Sequence, residues 1–519
     1  YKIAMKKIFL SLLLGSSIVS IAQETTINDA LRYATSNLYG TARFRGMSGA
    51  FGAVGGDLSS INVNPAGSAF FTNNFGSVSG TSFNVHNNSN YFGSRTKENF
   101  STLDLNQIGA VLVFNDKSGK SNWSKIAVAI NYENTNNFDN NLFSAGINPN
   151  NSIGNYFIDK AQGLPLEFIE LQPGETITDL YTYLGETSGL GFPAQQAMLG
   201  YQAFLFEAND PSDLNNTGYY TNVPTGGNYY QDNYVTSNGF NGKLSANVAT
   251  AYKDKLFLGL NLNVHFTDYV KTTSVYEGNN NPLYSSGLTV TDIQFDNESY
   301  TYGSGFSLNL GAIYKFTESF RAGIAYESPT WYRLNDELTQ RLIVNTTDGT
   351  DNFQNIIAPN VINVYQAYRI QTPSKVTLSG AYIFNKKGLI SIDYAMKDYS
   401  NTKFKPTNDS FYRDLNTQMS NQFDNAYELR IGGEYRIKEW SIRGGYRFEE
   451  SPYKVDYAMG DLTGYSAGLG YNFGESKLDL AYANDHRNYN LAFISSGMND
   501  TARIRTTNNN VTLTYSINF

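Results

Sequence analysis

The feature that most constrains this chain is a two-residue alternation of apolar and polar side chains. In the C-terminal stretch VTLTYSINF, every second residue from Val511 to Phe519 is apolar and the residues between are polar. Successive side chains of a β-strand point to opposite faces, so this pattern predicts a strand with one apolar face. Fourteen such strands are predicted, at residues 75–85, 107–115, 125–133, 240–252, 256–268, 304–316, 320–328, 375–384, 389–398, 427–437, 440–449, 465–474, 478–486 and 510–519.

The connections between these strands alternate between short and long. Those after the even-numbered strands are short, whereas those after the odd-numbered strands are long, the longest running from Tyr132 to Phe240. Outer-membrane barrels have this rhythm, with short periplasmic turns and long extracellular loops. In lipid every backbone amide needs a partner, which only a helix or a closed barrel provides. The sequence therefore predicts an all-β fold, a 14-stranded antiparallel transmembrane β-barrel; a soluble β-sandwich is the alternative.

The composition excludes several classes of function. The 519 residues include no cysteine, carry a formal net charge of −8 and are only 16% charged, against an average of about 25% in soluble proteins. Without cysteine there is no disulfide, thiolate nucleophile or cysteine-ligated metal. The acidic balance argues against nucleic acid as a partner. Three widely spaced histidines offer no local catalytic arrangement, so we predict no enzyme, no metal and no cofactor.

Residues 1–22 are predicted to be a secretory signal peptide. A basic start at residues 5–7 precedes the apolar run IFLSLLLGSSIVSIA, and Ser20 and Ala22 are small enough for a cleavage site before Gln23. A membrane anchor is the alternative, although the run is short for a span. The predicted location is the outer membrane, reached by export.

The segment before the first predicted strand carries GTARFRGMSGAFGAVGGDLSSINVNPAGSAFF. Its small residues lead through Asp57 to Asn64-Pro65-Ala66-Gly67. This order resembles the FadL-type (OMPP1/FadL/TodX) outer-membrane transporters of long-chain fatty acids and other hydrophobic compounds. Two further stretches, residues 372–400 and 427–453, are similar to the C-terminal half of that family; their marks are Pro373, Asp393-Tyr394, Tyr399-Ser400 and Ser451-Pro452.

The resemblance implies a division of the chain into a hatch, residues 23–74, inside a barrel formed by residues 75–519. Family members take hydrophobic ligands onto extracellular loops, pass them to a pocket and release them sideways through the barrel wall. That release implies a kink in the third strand, but Lys125–Tyr132 contains neither glycine nor proline at which to place it. The predicted function is a passive outer-membrane channel for hydrophobic small molecules such as long-chain fatty acids.

Candidate ligand-binding residues lie in the hatch and in the long extracellular loop, residues 134–239. In the hatch, Arg43 and Arg45 could each hold a carboxylate bidentately; the alternative is an ion pair with a lumen-facing Asp or Glu. The loop contains PAQQAMLGYQAFLFEAND, whose apolar residues fall at helical spacing. Such a face needs a cover, either a hydrophobic ligand or the neighbouring helices and the barrel. The loop candidates are Met198, Tyr201, Phe204 and Leu205.

The predicted partners are a hydrophobic small molecule, outer-membrane lipid and, during biogenesis, the barrel-assembly machinery. The final aromatic residue, Phe519, and its alternating predecessors resemble the signal that this machinery reads. A second hypothesis remains open: related barrels of this fold serve protein secretion as shuttles or adaptors in the type IX system. The long loop at residues 134–239 could then bind a protein partner.

Overall fold

The computed structural model describes residues 25–35, 37–118, 120–385, 387–494 and 497–519. The predicted signal peptide, residues 1–22, lies outside the described residues. The described strands are β1 (Phe75–Tyr91), β2 (Ser94–Asn115), β3 (Trp123–Asn137), β4 (Asn140–Asn148), β5 (Phe206–Ala208), β6 (Tyr219–Thr221), β7 (Tyr229–Tyr252), β8 (Leu256–Asn279), β9 (Thr289–Lys315), β10 (Phe320–Glu327), β11 (Trp331–Thr347), β12 (Asn352–Ile357), β13 (Asn363–Val364), β14 (Tyr368–Gln371), β15 (Lys375–Phe384), β16 (Gly388–Asp398), β17 (Lys403–Lys405), β18 (Asn425–Ile437), β19 (Trp440–Glu449), β20 (Met459–Asn472), β21 (Ser476–Ala492) and β22 (Thr501–Asn518).

Helices occur before the first strand and in the long connections. The described α-helices are α1 (Ile27–Ala34), α2 (Ala42–Gly46), α3 (Gly154–Ala161), α4 (Ile177–Glu186), α5 (Gly191–Gln202) and α6 (Ser410–Gln422). Short 3₁₀ helices are described at Leu58–Asn62, Pro65–Phe70, Leu166–Phe168 and Tyr399–Asn401. Among the described residues, no helix combines the length and the apolar character that crossing a membrane requires.

Fourteen antiparallel ribbons close the barrel in the part of the chain that the structure describes. Neighbouring ribbons pair in chain order, and β1 pairs with both β2 and β22, which closes the sheet. Three ribbons are interrupted and consist of two strands each: β3 with β4, β10 with β11, and β14 with β15. All fourteen predicted strands lie on these ribbons, so the predicted fold class is confirmed.

The barrel exposes apolar side chains outward and buries polar ones inward. On β8, Leu260 and Leu262 are exposed, whereas the alternating Asn261 and Asn263 are buried. His265 continues the inward row and lies 2.9 Å from the Ser307 hydroxyl through Nε2. This polarity is opposite to that of a soluble protein and suits a wall surrounded by lipid.

The strands on the long-loop side extend far beyond the predicted ends. At about 3.3 Å per residue, the 27 residues of β9 exceed the roughly 30 Å hydrocarbon core. In these extensions the buried inner face is apolar, as at Val275, Phe295 and Leu342. In the extensions the apolar side chains point inward instead of outward. The outward apolar row from which the strands were predicted therefore ends there.

A helical cap, residues 149–228, covers the long-loop end of the barrel. Helices α3, α4 and α5 pack against one another, and their buried residues share one core with the inner faces of β8, β9 and β11. The predicted loop at 134–239 was too wide, because β3 and β4 continue to Asn148 and β7 begins at Tyr229. The outward residues of these extensions mix polar and aromatic side chains, such as Asp232 and Tyr234, so the apolar pattern is interrupted.

Candidate ligand-binding sites in the lumen

Residues 25–35 and 37–74, here called the luminal segment, lie inside the barrel and are mostly buried. Asn64 begins the 3₁₀ helix Pro65–Phe70, and its Oδ1 accepts a hydrogen bond from the Ala66 N–H at 3.1 Å. Its Nδ2 donates to Gly52 O at 2.8 Å and to Ala312 O at 3.1 Å. The side chain of Asn64 thus begins the 3₁₀ helix and also joins the luminal segment to the wall.

Wall glycines make room for this turn. A Cβ built on Gly259 of β8 would overlap the backbone of Pro65 and Ala66, and one on Gly311 of β9 would overlap the Asn64 side chain. The backbone of the turn therefore approaches the strands more closely than any side chain permits. The turn and the inner wall form one packed unit.

Charged groups anchor the rest of the luminal segment. Arg43 Nε donates to Glu434 Oε2 on β18 at 2.8 Å, in an ion pair that is largely buried. The Asp393 carboxylate on β16 accepts the N–H groups of Phe51 and Gly52, at 2.9 and 3.0 Å. For Arg43 the structure therefore shows the predicted alternative, an ion pair with a lumen-facing carboxylate.

Arg45 differs from Arg43 in having no carboxylate partner among the described residues. Its side chain is fully buried, Nη1 donates to Thr81 Oγ1 at 3.3 Å, and Nε has no acceptor in the described structure. The rings of Tyr39 and Phe83 lie 6.0 and 5.7 Å from its guanidinium carbon. Arg45 thus remains a candidate for an anionic ligand, although it lines neither of the two large cavities described below.

The wall has a seam between β2 and β3. These strands pair from Asn115↔Lys125 to Gln107↔Glu133, where the pairing ends although β3 continues along β7 to Asn137. The register of β3 on β7 shifts between Asn134 and Asn136. No kink could be predicted within residues 125–132, and the register shift lies just beyond them.

The luminal segment bridges the two edges of the seam through residues 37–40, here called the seam segment. The Asn37 N–H donates to Thr135 O on β3 at 3.2 Å, and Asn106 Nδ2 on β2 donates to Gly40 O at 3.0 Å. Asn134 Nδ2 also donates to the Asp104 carboxylate directly across the seam. Polar contacts, rather than a strand ladder, thus close this part of the wall.

An extracellular cavity of about 500 Å³ lies between α1 and the extensions of β8, β9, β11 and β21. Its polar floor contains Asp29, Arg32 and Lys271. Arg32 Nη2 donates to Asp29 Oδ1 at 2.7 Å, and its guanidinium lies 4.1 Å from the centroid of the Tyr269 ring. Burial raises the pKa of Asp29, but Arg32 and the Thr26 N–H lower it more, so the pKa lies below its ordinary value.

The walls of the extracellular cavity combine polar side chains with a set of apolar ones. They include Val275, Phe295 and Leu338 from the strand extensions and Phe493 and Ile494 from the connection after β21. Below the cavity, the apolar face of α1 packs on α6, which places Leu31 against Leu415 and its neighbours in one core. A cavity with a charged floor and apolar side chains along its walls fits an elongated molecule with a polar head.

A second space of about 550 Å³, here called the periplasmic chamber, lies on the other side of the luminal segment. Its walls are the strand ends that lead into the short turns, including Phe75 on β1, Arg321 on β10, Arg436 on β18 and Lys477 on β21. Arg43 of the luminal segment also faces it. The luminal segment therefore separates two compartments, one at each end of the barrel.

The predicted loop candidates lie in the cap, and the structure does not bring them to either compartment. Met198 and Leu205 are buried in the core of the cap, and Tyr201 packs partly against it. Phe204 is exposed beside them, in a left-handed backbone conformation. The apolar helical faces pack mostly against each other and the barrel, and their binding role stays a prediction.

Several residues of the extracellular cavity were not singled out in the sequence. One signal was available for α1: Thr26 and Asp29 have the spacing of a capping box, and the Asp29 carboxylate accepts the Thr26 N–H at 2.8 Å. For Lys271 and Leu338 no local signal exists, because the two residues lie on different strands and meet only when the barrel closes.

Comparison with known proteins identifies relatives of this chain. The family described as outer membrane protein transport protein (OMPP1/FadL/TodX) matches residues 211–518. Outer membrane protein P1 of Haemophilus influenzae is 24% identical over 192 residues, which is 34% of this chain and 37% of that protein. The aligned part thus spans little more than a third of this relative.

Solved structures share the fold. A FadL homologue of Pseudomonas aeruginosa aligns with a TM-score of 0.52 at 12% identity, covering 93% of this chain and 98% of that one. The P. putida toluene transporter TodX aligns with a TM-score of 0.50 at 13% identity, covering 93% of this chain and 99% of that one. At such identities the likeness concerns the architecture alone.

Proposed function

Because this chain belongs to the OMPP1/FadL/TodX family of outer membrane transport proteins, we propose that it is a passive channel for long-chain fatty acids and similar single-chain amphiphiles. The observation that carries the proposal is the extracellular cavity, with its charged floor and the apolar side chains along its walls. Its volume of about 500 Å³ lies within the range of roughly 300–1,000 Å³ typical of small-molecule sites.

The two ends of the extracellular cavity suit the two ends of such a molecule. Lys271 and Arg32 supply positive charge for a carboxylate head. Asp29 pairs with Arg32 and also attracts Lys271, while Asp336 and Glu337 line the cavity near Leu338. The apolar tail would lie along Val275 and Phe295 and lose its contact with water. Lys271 makes no ion pair with a described carboxylate, which leaves it available for the head.

The proposed exit is the seam between β2 and β3. There the seam segment closes the wall with a few hydrogen bonds to Thr135 and Asn106, each worth about 0.5–1.5 kcal/mol net. Next to the seam, Leu103 exposes 80% of its surface on the outside of β2. Moving the seam segment aside would open a path from the lumen to this apolar surface, while the Asn64–Gly67 turn stays anchored.

A charge among the apolar side chains of the cavity wall tests the proposed function. Leu338→Asp should lower uptake of radiolabelled oleate, by cells lacking their own fatty-acid transporter, at least about tenfold, because an unpaired carboxylate disfavours the apolar tail. The matched control is Thr339→Asp, since Thr339 is the next residue on β11 and faces outward. It should transport normally.

Heat-modifiable migration on gels would show whether each variant contains a folded barrel. Folded Leu338→Asp protein that takes up oleate at the rate of the Thr339→Asp control would contradict the proposed binding site.

A further inference from the structure

The periplasmic chamber is lined by several basic side chains. It lies among the strand ends next to the short turns, below the luminal segment, so it is open to the periplasm rather than to the extracellular cavity. Four basic side chains line it, in a chain whose formal net charge is −8: Arg43, Arg321, Arg436 and Lys477. A local excess of positive charge in an acidic protein calls for a physical explanation.

The carboxylates of the chamber neutralise these cations only in part. Glu434 accepts hydrogen bonds from three guanidinium groups, those of Arg43 at 2.8 Å, Arg436 at 2.8 Å and Arg443 at 2.7 Å. Asp479 accepts from Arg443 at 2.6 Å. Asp57, the third carboxylate that lines the chamber, accepts a hydrogen bond from the Thr41 hydroxyl at 2.8 Å. These three carboxylates face the four lining cations and Arg443.

Lys477 adds a further cation to the same wall of the chamber. Among the described residues it makes no ion pair, although Asp479 and Glu434 lie nearby. Arg436 is half exposed, so its guanidinium faces the chamber as well as Glu434. Together, Arg436 and Lys477 present two cations whose charge the neighbouring carboxylates balance only in part.

On the opposite side of the chamber, Arg321 is also incompletely satisfied. Its Nη1 donates to Val54 O at 3.0 Å, while its buried Nε has no acceptor among the described residues. Its guanidinium carbon lies 4.5 Å from the centroid of the Phe70 ring. An anion in the chamber would meet positive charge on both sides.

The rest of the lining is apolar, including Phe75, Ile383 and Leu389. We propose that the periplasmic chamber binds an anionic amphiphile, with a carboxylate or phosphate head on Arg436 and Lys477 and a short apolar body against these side chains. Charge-assisted hydrogen bonds hold the head, and burial of apolar surface holds the body. The inference goes beyond the proposed function, since this site lies across the luminal segment from the extracellular cavity.

A local labelling experiment tests this site. The chain has no cysteine, so Thr72→Cys introduces a single thiol at an exposed residue that lines the chamber. The rate of its reaction with N-ethylmaleimide is measured in the purified, folded full chain. The probes are octanoate, octanol and inorganic phosphate. Octanoate carries both a charged head and an apolar chain, octanol has the chain without the charge, and phosphate has the charge without the chain.

Octanoate should slow the labelling of Thr72→Cys protein, and octanol and phosphate should protect far less. If phosphate protected equally well, the chamber would bind a free anion and the proposed amphiphile would be wrong. If octanol protected equally well, the charged head would contribute nothing to binding. Absence of protection by octanoate would overturn the proposal. The assay needs no transport, so its outcome is independent of whether the channel carries fatty acids.

A second substitution assigns the protection to the cationic wall. Adding Lys477→Gln should raise the octanoate concentration for half-maximal protection by about tenfold, the factor expected for one lost charge-assisted contact. The control is Lys117→Gln, a lysine exposed on a short turn at the same end of the barrel, which should leave the concentration unchanged. Equal effects of the two substitutions would contradict the assignment.

Discussion

Gly259 is a residue at which the backbones of the wall and the luminal segment approach each other closely. The absence of a side chain lets the backbone of Pro65 and Ala66 lie directly on β8. Gly311 on the next strand accommodates Asn64, whose amide group bonds to backbone atoms of both the segment and the wall. The turn is thus held by shape as much as by hydrogen bonds.

Gly259→Ala should therefore displace the luminal segment, since its Cβ meets backbone atoms that cannot move separately. We expect a penalty of about 1–3 kcal/mol for the packed arrangement and a higher single-channel conductance in planar bilayers. The control is Gly433→Ala, where a Cβ meets its nearest neighbour, Leu389 O, at an ordinary 3.5 Å. Equal conductance of the two folded variants would show that the turn does not depend on this contact.

The sequence predicted the Asn64–Gly67 turn but not its partners. A proline after asparagine is a local signal, whereas Gly259 and Gly311 lie far along the chain, on β8 and β9, and look like ordinary strand glycines. The same limit applies to Arg43 and Arg45. Both were candidates, and only the position of Glu434 on β18 distinguishes the paired residue from the unpaired one.

At the scale of elements, the seam between β2 and β3 is a part of the wall that the strand ladder does not close. The strand ladder ends at Gln107↔Glu133, and side-chain and luminal contacts replace it beyond that point. A ladder unzips cooperatively, whereas a few polar contacts open at a small cost. The proposed exit requires that the seam open more easily than a continuous strand ladder.

A covalent bridge across the seam should block transport. Cysteines introduced as Asp104→Cys and Asn134→Cys, whose side chains are in contact, can be joined by a short cleavable cross-linker. Oleate uptake should fall on cross-linking and recover on cleavage. The control pair is Asn84→Cys with Ser101→Cys, which joins partners already paired between β1 and β2. Undiminished uptake with a bridged seam would rule out this exit.

The strands in lipid could be predicted from the sequence, whereas their extensions could not. Within the membrane the apolar face points outward, as at Leu260. Beyond it, Val275 on the same strand is apolar and points inward, because the cap now covers the inner face. A period of two was present throughout, but the exchange of faces interrupted the outward apolar row and shortened the predicted strands.

At the scale of the whole molecule, the barrel contains two compartments separated by the luminal segment. The extracellular cavity lies above α1 and the periplasmic chamber below α2. The predicted barrel and its rhythm of short and long connections follow from local sequence patterns. The compartments do not, because each is lined by side chains from at least four elements that meet only after closure.

The central claim is that an amphiphile passes from the extracellular cavity to the seam, and photo-cross-linking during uptake tests it most directly. A long-chain fatty acid with a diazirine on its tail would be photolysed in cells carrying the protein, and the adducts mapped by mass spectrometry. Leu338 in the cavity and Tyr39 in the seam segment are both buried away from lipid, so only a molecule in transit can label them. We predict adducts at both; adducts confined to lipid-facing side chains such as Ile390 and Ile392 would contradict the account.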